Sequence, residues 1–428
     1  MPENPDAGKL DLHENESSPL AFVVGFFFAF RAFIMVLSVR MLGTDPQTGT
    51  AISLAAGGIL LLLVAFSTVG QNTRSLRQIA GTAGVRCALL YLALSCLSLL
   101  WSETSSLSIA IVYWCGMAAD FAAIALMLRA RTVSRIAPSL MEGFIWGACL
   151  GAIVAWLLPA QSDLRLGDEE LLGPNNIAYP LAIAFLFAQY LMRNRLGKFA
   201  PHAAFLGLTV LRSLSKTTIL ALLAAQALLL IADRSMKRRT KLYLLLCATL
   251  AFVAFSALLI SYWEIYLNSG NQSETLSGRL GIWAYFLVEG AQKPWFGHGF
   301  NSVWGIVPTF GPDKFEAAHA HNELIQQFYA YGAIGACLFS GYYWSLFRQA
   351  RKLASSPIRV FLFAFLLFFL IRGFADTERF DLSLPMWAGL LVSELIEYHR
   401  SAQQQAAEAV SPQPWSLAPE IEGNPGFI

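Results

Sequence analysis

The sequence predicts an all-α polytopic membrane protein, with about twelve transmembrane helices and one large loop between the ninth and tenth. Three observations carry that prediction. Of the 428 residues, 56% are hydrophobic and 14% charged, whereas an average soluble domain is about 25% charged. Apolar runs close to the roughly 20 residues that cross a bilayer recur from Leu20 to Tyr398. Lysines and arginines collect in alternate connections, the pattern of a chain whose basic loops stay in the cytoplasm.

The first run, 20–39, follows an acidic polar leader and continues without a small-residue cleavage site, so it is expected to remain in the mature chain. Runs at 51–69, 84–101, 108–128, 138–158, 175–192, 199–212, 216–232 and 241–261 supply the second to ninth helices. Those at 323–347, 357–373 and 383–398 supply the last three. The third, seventh and twelfth are short against a full span. The expected divisions are a disordered cytoplasmic leader (1–18), membrane helices 1–9 (19–261), a catalytic loop (262–322), helices 10–12 (323–400) and a disordered cytoplasmic tail (401–428).

With both termini in the cytoplasm, 20 of the 30 lysines and arginines fall in inner segments, as in Arg129 to Arg135 and Arg234 to Lys241. Arg31, Arg40, Arg165, Arg212, Lys216, Arg279, Lys293, Lys314, Arg372 and Arg379 lie in helices or on the outer side. Topology accounts for these less well, so several are candidates for binding an anion. The same distribution places the 262–322 loop outside the membrane. The six cysteines sit in apolar runs with no CxxC or Cys/His spacing, and read as buried small hydrophobes.

Chemistry-bearing residues concentrate between Ser277 and Gly335, which holds His298, His319 and His321 of the six histidines, with Arg279, Lys293 and Lys314. Ser277 is suited to cap a helix that begins at Gly278 and ends at Gly290, with Arg279 in its first turn. A helix start attracts anions through unpaired N–H groups, and a guanidinium adds a planar donor fork. The alternative is a capped interfacial helix whose arginine faces water. Lys216, in the stretch Arg212-Ser-Leu-Ser-Lys-Thr-Thr218, is an anion candidate or a basic residue snorkelling at a helix end. Asp120 and Glu142 lie within apolar runs next to the Arg129 to Arg135 loop, where a structural ion pair competes with a functional role. Gly173-Pro-Asn-Asn176 and Trp101-Ser-Glu103 read as helix caps.

An H-x-H pair such as His319 and His321 points both rings to one side of an extended segment. Zinc would require a third ligand, with His298, Asp313 and Glu323 as the options, and no spacing selects one, so no metal or other cofactor is assigned. A general-base role suits His321 better, because neutral imidazole accepts a hydroxyl proton and the residue sits where the loop meets the next helix.

The ordered pieces Leu97-Ser-Leu-Leu-Trp-Ser102, Gly173-Pro-Asn-Asn176, Ser215-Lys-Thr217, Ser277-Gly-Arg279 with Trp283, Pro294-Trp-Phe-Gly-His-Gly-Phe300, His321-Asn322 and Gly332-Ala-Ile-Gly335 resemble the bacterial O-antigen ligase/polymerase family. These are the Wzy, WaaL and ExoQ-like integral membrane proteins of polysaccharide export. The resemblance covers most of the membrane domain and lies closest to the exopolysaccharide polymerase branch. It implies a metal-independent inner-membrane glycosyltransferase that moves a glycan from undecaprenyl diphosphate to a sugar hydroxyl on the periplasmic side. The implied partners are the lipid-linked donor, a glycan acceptor, the bilayer and a chain-length regulator, and no nucleic acid.

His321, Arg279 and Lys216 map onto the family's functional histidine and cations. Arg212, His319, Asn322, Trp283 and His298 are the expected substrate-binding residues. Lys216 stands where ligases carry arginine, and lysine offers a point charge where arginine offers a fork. Ligation of O-antigen to lipid A core is the rival enzyme reading, and a transporter of the same lipid-linked sugars is the rival from another class. Transporters place ionisable groups on broken helices at the midplane of repeated halves, whereas here they gather in one loop.

Overall fold

The computed structural model describes residues 18–410, apart from 72, 160, 162, 169, 194–196, 269–275, 304–306, 311–316, 318 and 378–382. The cation candidates Lys314 and Arg379, the possible ligand Asp313 and nearly all of the 1–18 leader lie outside the described residues.

Helices cover every predicted apolar run: α1 (Pro19–Leu42), α2 (Pro46–Thr68), a single turn α3 (Leu76–Ile79), α4 (Ala83–Ser98), α5 (Leu107–Ala130), α6 (Val133–Leu157), α7 (Pro174–Arg193), α8 (Ala200–Arg212), α9 (Lys216–Ala232), α10 (Arg238–Ala254), α11 (Ser256–Asn268), α12 (Leu276–Gln292), α13 (Glu323–Arg351), α14 (Pro357–Ala375) and α15 (Ser383–Val410). By length and composition five of them can cross a membrane, or six if the bent α10–α11 pair is one span. Local chemistry sets the starts. Asp45 accepts from the amides of Gln47 and Thr48 ahead of Pro46, and Ser356 accepts from Arg359 N ahead of Pro357, so a side-chain cap and a proline at the first helical position define each entry.

The apolar surface that water would penalise faces outward along α2 and α10, and none of the described side chains of α10 is buried. Inside, backbones approach closely, as expected where helices associate by packing and not by exclusion of water. A Cβ on Gly143 of α6 would lie 1.9 Å from the carbonyl oxygen of Phe22 in α1. Trp387 of α15 is fully buried against Phe28, Phe144 and Phe187 from α1, α6 and α7, which fixes four helices around one ring system.

Several expectations are corrected. The ninth run is two helices meeting at 49°, and α11 continues to Asn268, into the stretch read as loop. Residues 401–410 extend α15 and are not a disordered tail. Only Cys149 of the six cysteines is buried, while Cys115, Cys247 and Cys337 face outward. Asp120 and Glu142 do form ion pairs, Asp120 with Arg31 of α1 and Glu142 with Lys198.

The tenth helix is broken where the sequence predicts continuity. At Gly332 the backbone takes φ 64°, ψ −162° inside α13, a region reserved in practice for glycine. The Pro294 to Phe300 segment fills the break: His298 N and Gly299 N donate to the carbonyls of Tyr329 and Ala330, and Ala333 N donates to Pro294 O at 2.7 Å. Backbone groups released by the break are thereby paired inside the protein, as a membrane environment demands. A Cβ on Gly332 would lie 2.2 Å from the Trp295 carbonyl carbon. Gly332→Ala is therefore expected to cost more than the roughly 1–3 kcal/mol of backbone strain alone. Thermal unfolding in detergent checks this, and a melting temperature equal to that of wild type would refute it.

Candidate functional site

The 276–335 region folds as a layer with its own small core, in which Ile282 and Phe286 of α12 pack with Val303, Ala317, Ala320 and Tyr329. Helix α12 starts at Leu276 and ends at Gln292, two residues beyond the predicted Gly278–Gly290 limits at each end, and Arg279 keeps its place in the first turn. Its Nη1 donates to the carbonyl of Ala375 at 2.5 Å, the last residue of α14. The final carbonyls of a helix have no partner within it and attract cations, so this guanidinium and the α14 terminus define each other's position.

Asn322 supplies the second tie to the same point. Its Oδ1 caps α13 by accepting from Ile325 N at 3.1 Å, and its Nδ2 donates to Phe374 O at 3.0 Å. Trp283 of α12 packs edge-on against the Phe374 ring, with centroids 6.0 Å apart. The residue before the cap, His321, has φ 52°, which is uncommon for a side chain larger than glycine.

His321 Nδ1 stands 3.5 Å from Asp376 Oδ1. Asp376 is the C-cap of α14 and is 2% exposed. Its Oδ1 accepts from Thr377 N at 3.0 Å, and its Oδ2 lies 3.4 Å from Arg372 Nη2 one helical turn earlier. The Arg372 guanidinium lies over the Tyr179 ring of α7, 3.6 Å from its centroid, a face that attracts cations. Burial opposes ionisation of Asp376, but Arg372 and the two neighbouring histidines outweigh it and hold the carboxyl far below the usual carboxylate range. The His319 and His321 rings are 4.2 Å apart, and His319 Nδ1 accepts from His321 N at 3.3 Å.

The arrangement is a histidine backed by an ionised carboxylate, with an arginine behind the carboxylate and another at the adjoining helix start. A carboxylate on Nδ1–H keeps the proton there and leaves Nε2 as the acceptor, which is the state a general base needs.

Of the expected site residues, His321, His319, Asn322, Arg279 and Trp283 converge on the Phe374 to Asp376 corner. Lys216 opens α9, which packs against α14, and its ammonium lies over the Tyr262 ring of α11 at 5.4 Å. Arg212 donates to Leu164 O at 2.8 Å and sits over Trp156. His298 belongs to a different cluster. It hydrogen-bonds Glu103 through Nδ1, faces Glu289 O through Nε2 at 3.1 Å and stacks on Tyr329. Hydrogen bonds from Lys293 and then from His298 lower the pKa of Glu103.

The two motifs expected as caps turn out to be clasps. Ser98 Oγ accepts from Phe300 N at 3.0 Å, Ser102 Oγ donates to Phe300 O, and Trp101 Nε1 donates to Phe296 O. Ser215 Oγ donates to Asn175 Oδ1 at 2.6 Å. Each early motif thus holds a later one.

Sequence reasoning missed Asp376 altogether and counted Arg372 among the cations that lie in helices or on the outer side, with the same caution as Asp120 and Glu142. The available signal was an acid four residues after an arginine, just past the end of an apolar run. Neither His298 nor Glu323 is grouped with the H-x-H pair, and Asp313 lies outside the described residues. The third group within reach is Asp376, its ligand atom and those of the two histidines all lying within 4.8 Å of one another.

Two comparisons with known proteins bear on the family. The O-antigen ligase family model matches residues 202–340, a stretch that contains Lys216, Arg279 and His321. An O-antigen ligase of Pseudomonas aeruginosa is 29% identical over 343 residues, covering 75% of this chain and 78% of that protein.

Proposed function

We infer, from the membership of this chain in the O-antigen ligase/polymerase family, that it transfers a glycan from undecaprenyl diphosphate to a sugar hydroxyl at the Phe374 to Asp376 corner. The observation that carries the reading is His321 backed by Asp376 at the junction of α13 and α14, with Arg279 anchored one residue away.

In the proposed reaction the acceptor hydroxyl oxygen attacks the anomeric carbon as the bond from that carbon to the diphosphate oxygen breaks. The hydroxyl proton passes to His321 Nε2, and Asp376 stabilises the imidazolium that results. Negative charge grows on the departing undecaprenyl diphosphate. Arg279, with Lys216 and Arg212 in support, would stabilise it where low dielectric strengthens each contact. These cations supply the charge that a metal supplies in many phosphate-departing reactions, so the reaction is proposed to be metal-independent. His319, Asn322 and Trp283 line the same corner and are assigned to substrate binding, whereas His298 is assigned to holding the loop.

The first reading of the product is a polymer, because Lys216 replaces the arginine of the ligase pattern. Ligation to lipid A core is the second reading, favoured by both similarities, which are to O-antigen ligases. Purified chain, supplied with undecaprenyl-diphosphate oligosaccharide and either a second repeat unit or lipid A core, separates the two. Extension of the repeat alone supports the polymerase, transfer to core alone supports the ligase, and transfer to neither refutes the reading.

The proposed location is the bacterial inner membrane with the 262–322 region in the periplasm. Ser302, which lies in that region, is 1% exposed and would report poorly, but Gln292 and Lys237 are both exposed. An impermeant thiol reagent on intact spheroplasts is expected to label Gln292→Cys and not Lys237→Cys. The reverse pattern would separate the site from a periplasmic donor.

A further inference from the structure

We propose that His319, His321 and Asp376 form a binding site for a zinc-class divalent cation, and that occupancy switches the transferase off. The inhibitory half rests on the function proposed above; the binding half does not.

The donor set is two imidazoles and one carboxylate, the only such group of three among the described residues. Zinc bonds nitrogen and carboxylate oxygen at about 2.0–2.2 Å, which puts donors around a tetrahedral ion roughly 3.3–3.6 Å apart. The His321 Nδ1 to Asp376 Oδ1 separation of 3.5 Å already falls in that range. The remaining donor atoms lie within 4.8 Å, so closing the site requires a small movement of His319, which is partly exposed.

The surroundings of Asp376 suit a ligand. Arg372 engages Oδ2 and leaves Oδ1 directed at His321, and an outer partner that orients a ligating carboxylate is a regular feature of metal sites. Arg372 and Arg279 also oppose a further positive charge. They limit affinity and favour an ion that bonds strongly to imidazole over a hard one such as magnesium.

The consequence for the base is chemical. With no ion bound, Asp376 holds the proton on Nδ1 and Nε2 is the acceptor. An ion on Nδ1 displaces that proton to Nε2, and the ring becomes a donor on the side that faces the hydroxyl. No proton leaves the ring; its tautomer changes, Asp376 exchanges its 3.5 Å contact with Nδ1 for a metal bond, and the base is lost. The three donors leave a tetrahedral ion one further position, which water can fill.

The test uses full-length chain purified in detergent, stripped with chelator and titrated with zinc alone against a chromophoric zinc chelator. Wild type is expected to bind one zinc per chain, and His319→Ala to bind at least about tenfold more weakly, as loss of one of three protein ligands implies. X-ray absorption on zinc-loaded wild type gives a check that needs no variant: two imidazoles with oxygen donors support the site. A sulfur-containing shell, or equal affinity in His319→Ala, overturns it.

Saturating zinc is expected to lower glycan transfer at least about tenfold, with recovery on adding chelator. Zinc bound at this site with transfer undiminished overturns the inhibitory half. No zinc binding with robust transfer would remove the site and leave the glycosyltransferase reading standing. Zinc binding lost in His319→Ala, in a wild-type chain that transfers nothing, would do the reverse.

Discussion

His321→Ala is expected to lower the turnover of glycan transfer by about 10²- to 10⁴-fold, the usual contribution of a positioned general base. KM for the lipid-linked donor should change little, because the proposed phosphate contacts are Arg279 of α12, Lys216 of α9 and Arg212 of α8, not the imidazole. Asp376→Asn tests the same device from behind. The amide keeps the size of the carboxylate but has no charge to offer an imidazolium, and it can turn its NH₂ toward Nδ1 and select the wrong tautomer. A fall in turnover of about 10²-fold or more, with the protein still monodisperse and KM near its starting value, is expected. Turnover rates of initial transfer, measured at matched expression, decide both. Near wild-type turnover in either variant would exclude the His321–Asp376 pair from the chemistry. Arg372 is a poor substitute for this test, since its removal strands a buried carboxylate and destabilises the fold by about 3–5 kcal/mol.

The second large effect separates the cations. Arg279 combines two duties, a 2.5 Å hydrogen bond to Ala375 O and, as proposed, a fork toward the diphosphate. Arg279→Lys keeps the charge but replaces the planar fork, whose separate nitrogens can face the carbonyl and the diphosphate at once, with a point charge. It is expected to lose about 10²- to 10³-fold in turnover, comparable to loss of one preorganised donor at a developing negative charge. Lys216 makes no such geometric demand, because its ammonium lies over an aromatic face that accepts either cation. Lys216→Arg should therefore retain most activity, and Lys216→Ala should not. The measurement is product formed from purified undecaprenyl-diphosphate oligosaccharide in detergent with no added metal. Full activity in both Arg279→Ala and Lys216→Ala would reduce these residues to anchors of helix ends.

Helices were legible because hydrophobic run length and caps followed by proline are properties of neighbouring residues. The start of α14 at Ser356-Pro357 and of α2 at Asp45-Pro46 can be read without knowing any contact. Arg279 in a first turn and His321 at a loop-to-helix junction were readable for the same reason, since each depends on a boundary close by in the chain. The α13 break was not readable. Gly332 sits in an apolar stretch that any periodicity argument continues, and what makes the break tolerable is the Pro294 to Phe300 backbone that pairs with it. The clasps show the same limit: Ser98 and Ser102 look like helix-end residues until Phe300, about two hundred positions away, is seen to satisfy them.

By itself the sequence determined that this protein is helical and built for a membrane, and which residue types could serve a phosphate-departing transfer. Composition, run length and local capping suffice for that, because water and lipid act on each segment regardless of where the others lie. Only the tertiary structure decided which of those residues act together. It set His321 against Asp376, whose one local mark is an arginine four residues earlier, and sent His298 to Glu103 and away from the other two histidines. The physical reason is that electrostatic coupling falls off with distance in space, and the ends of α12, α13 and α14 meet through packing that only the whole chain specifies.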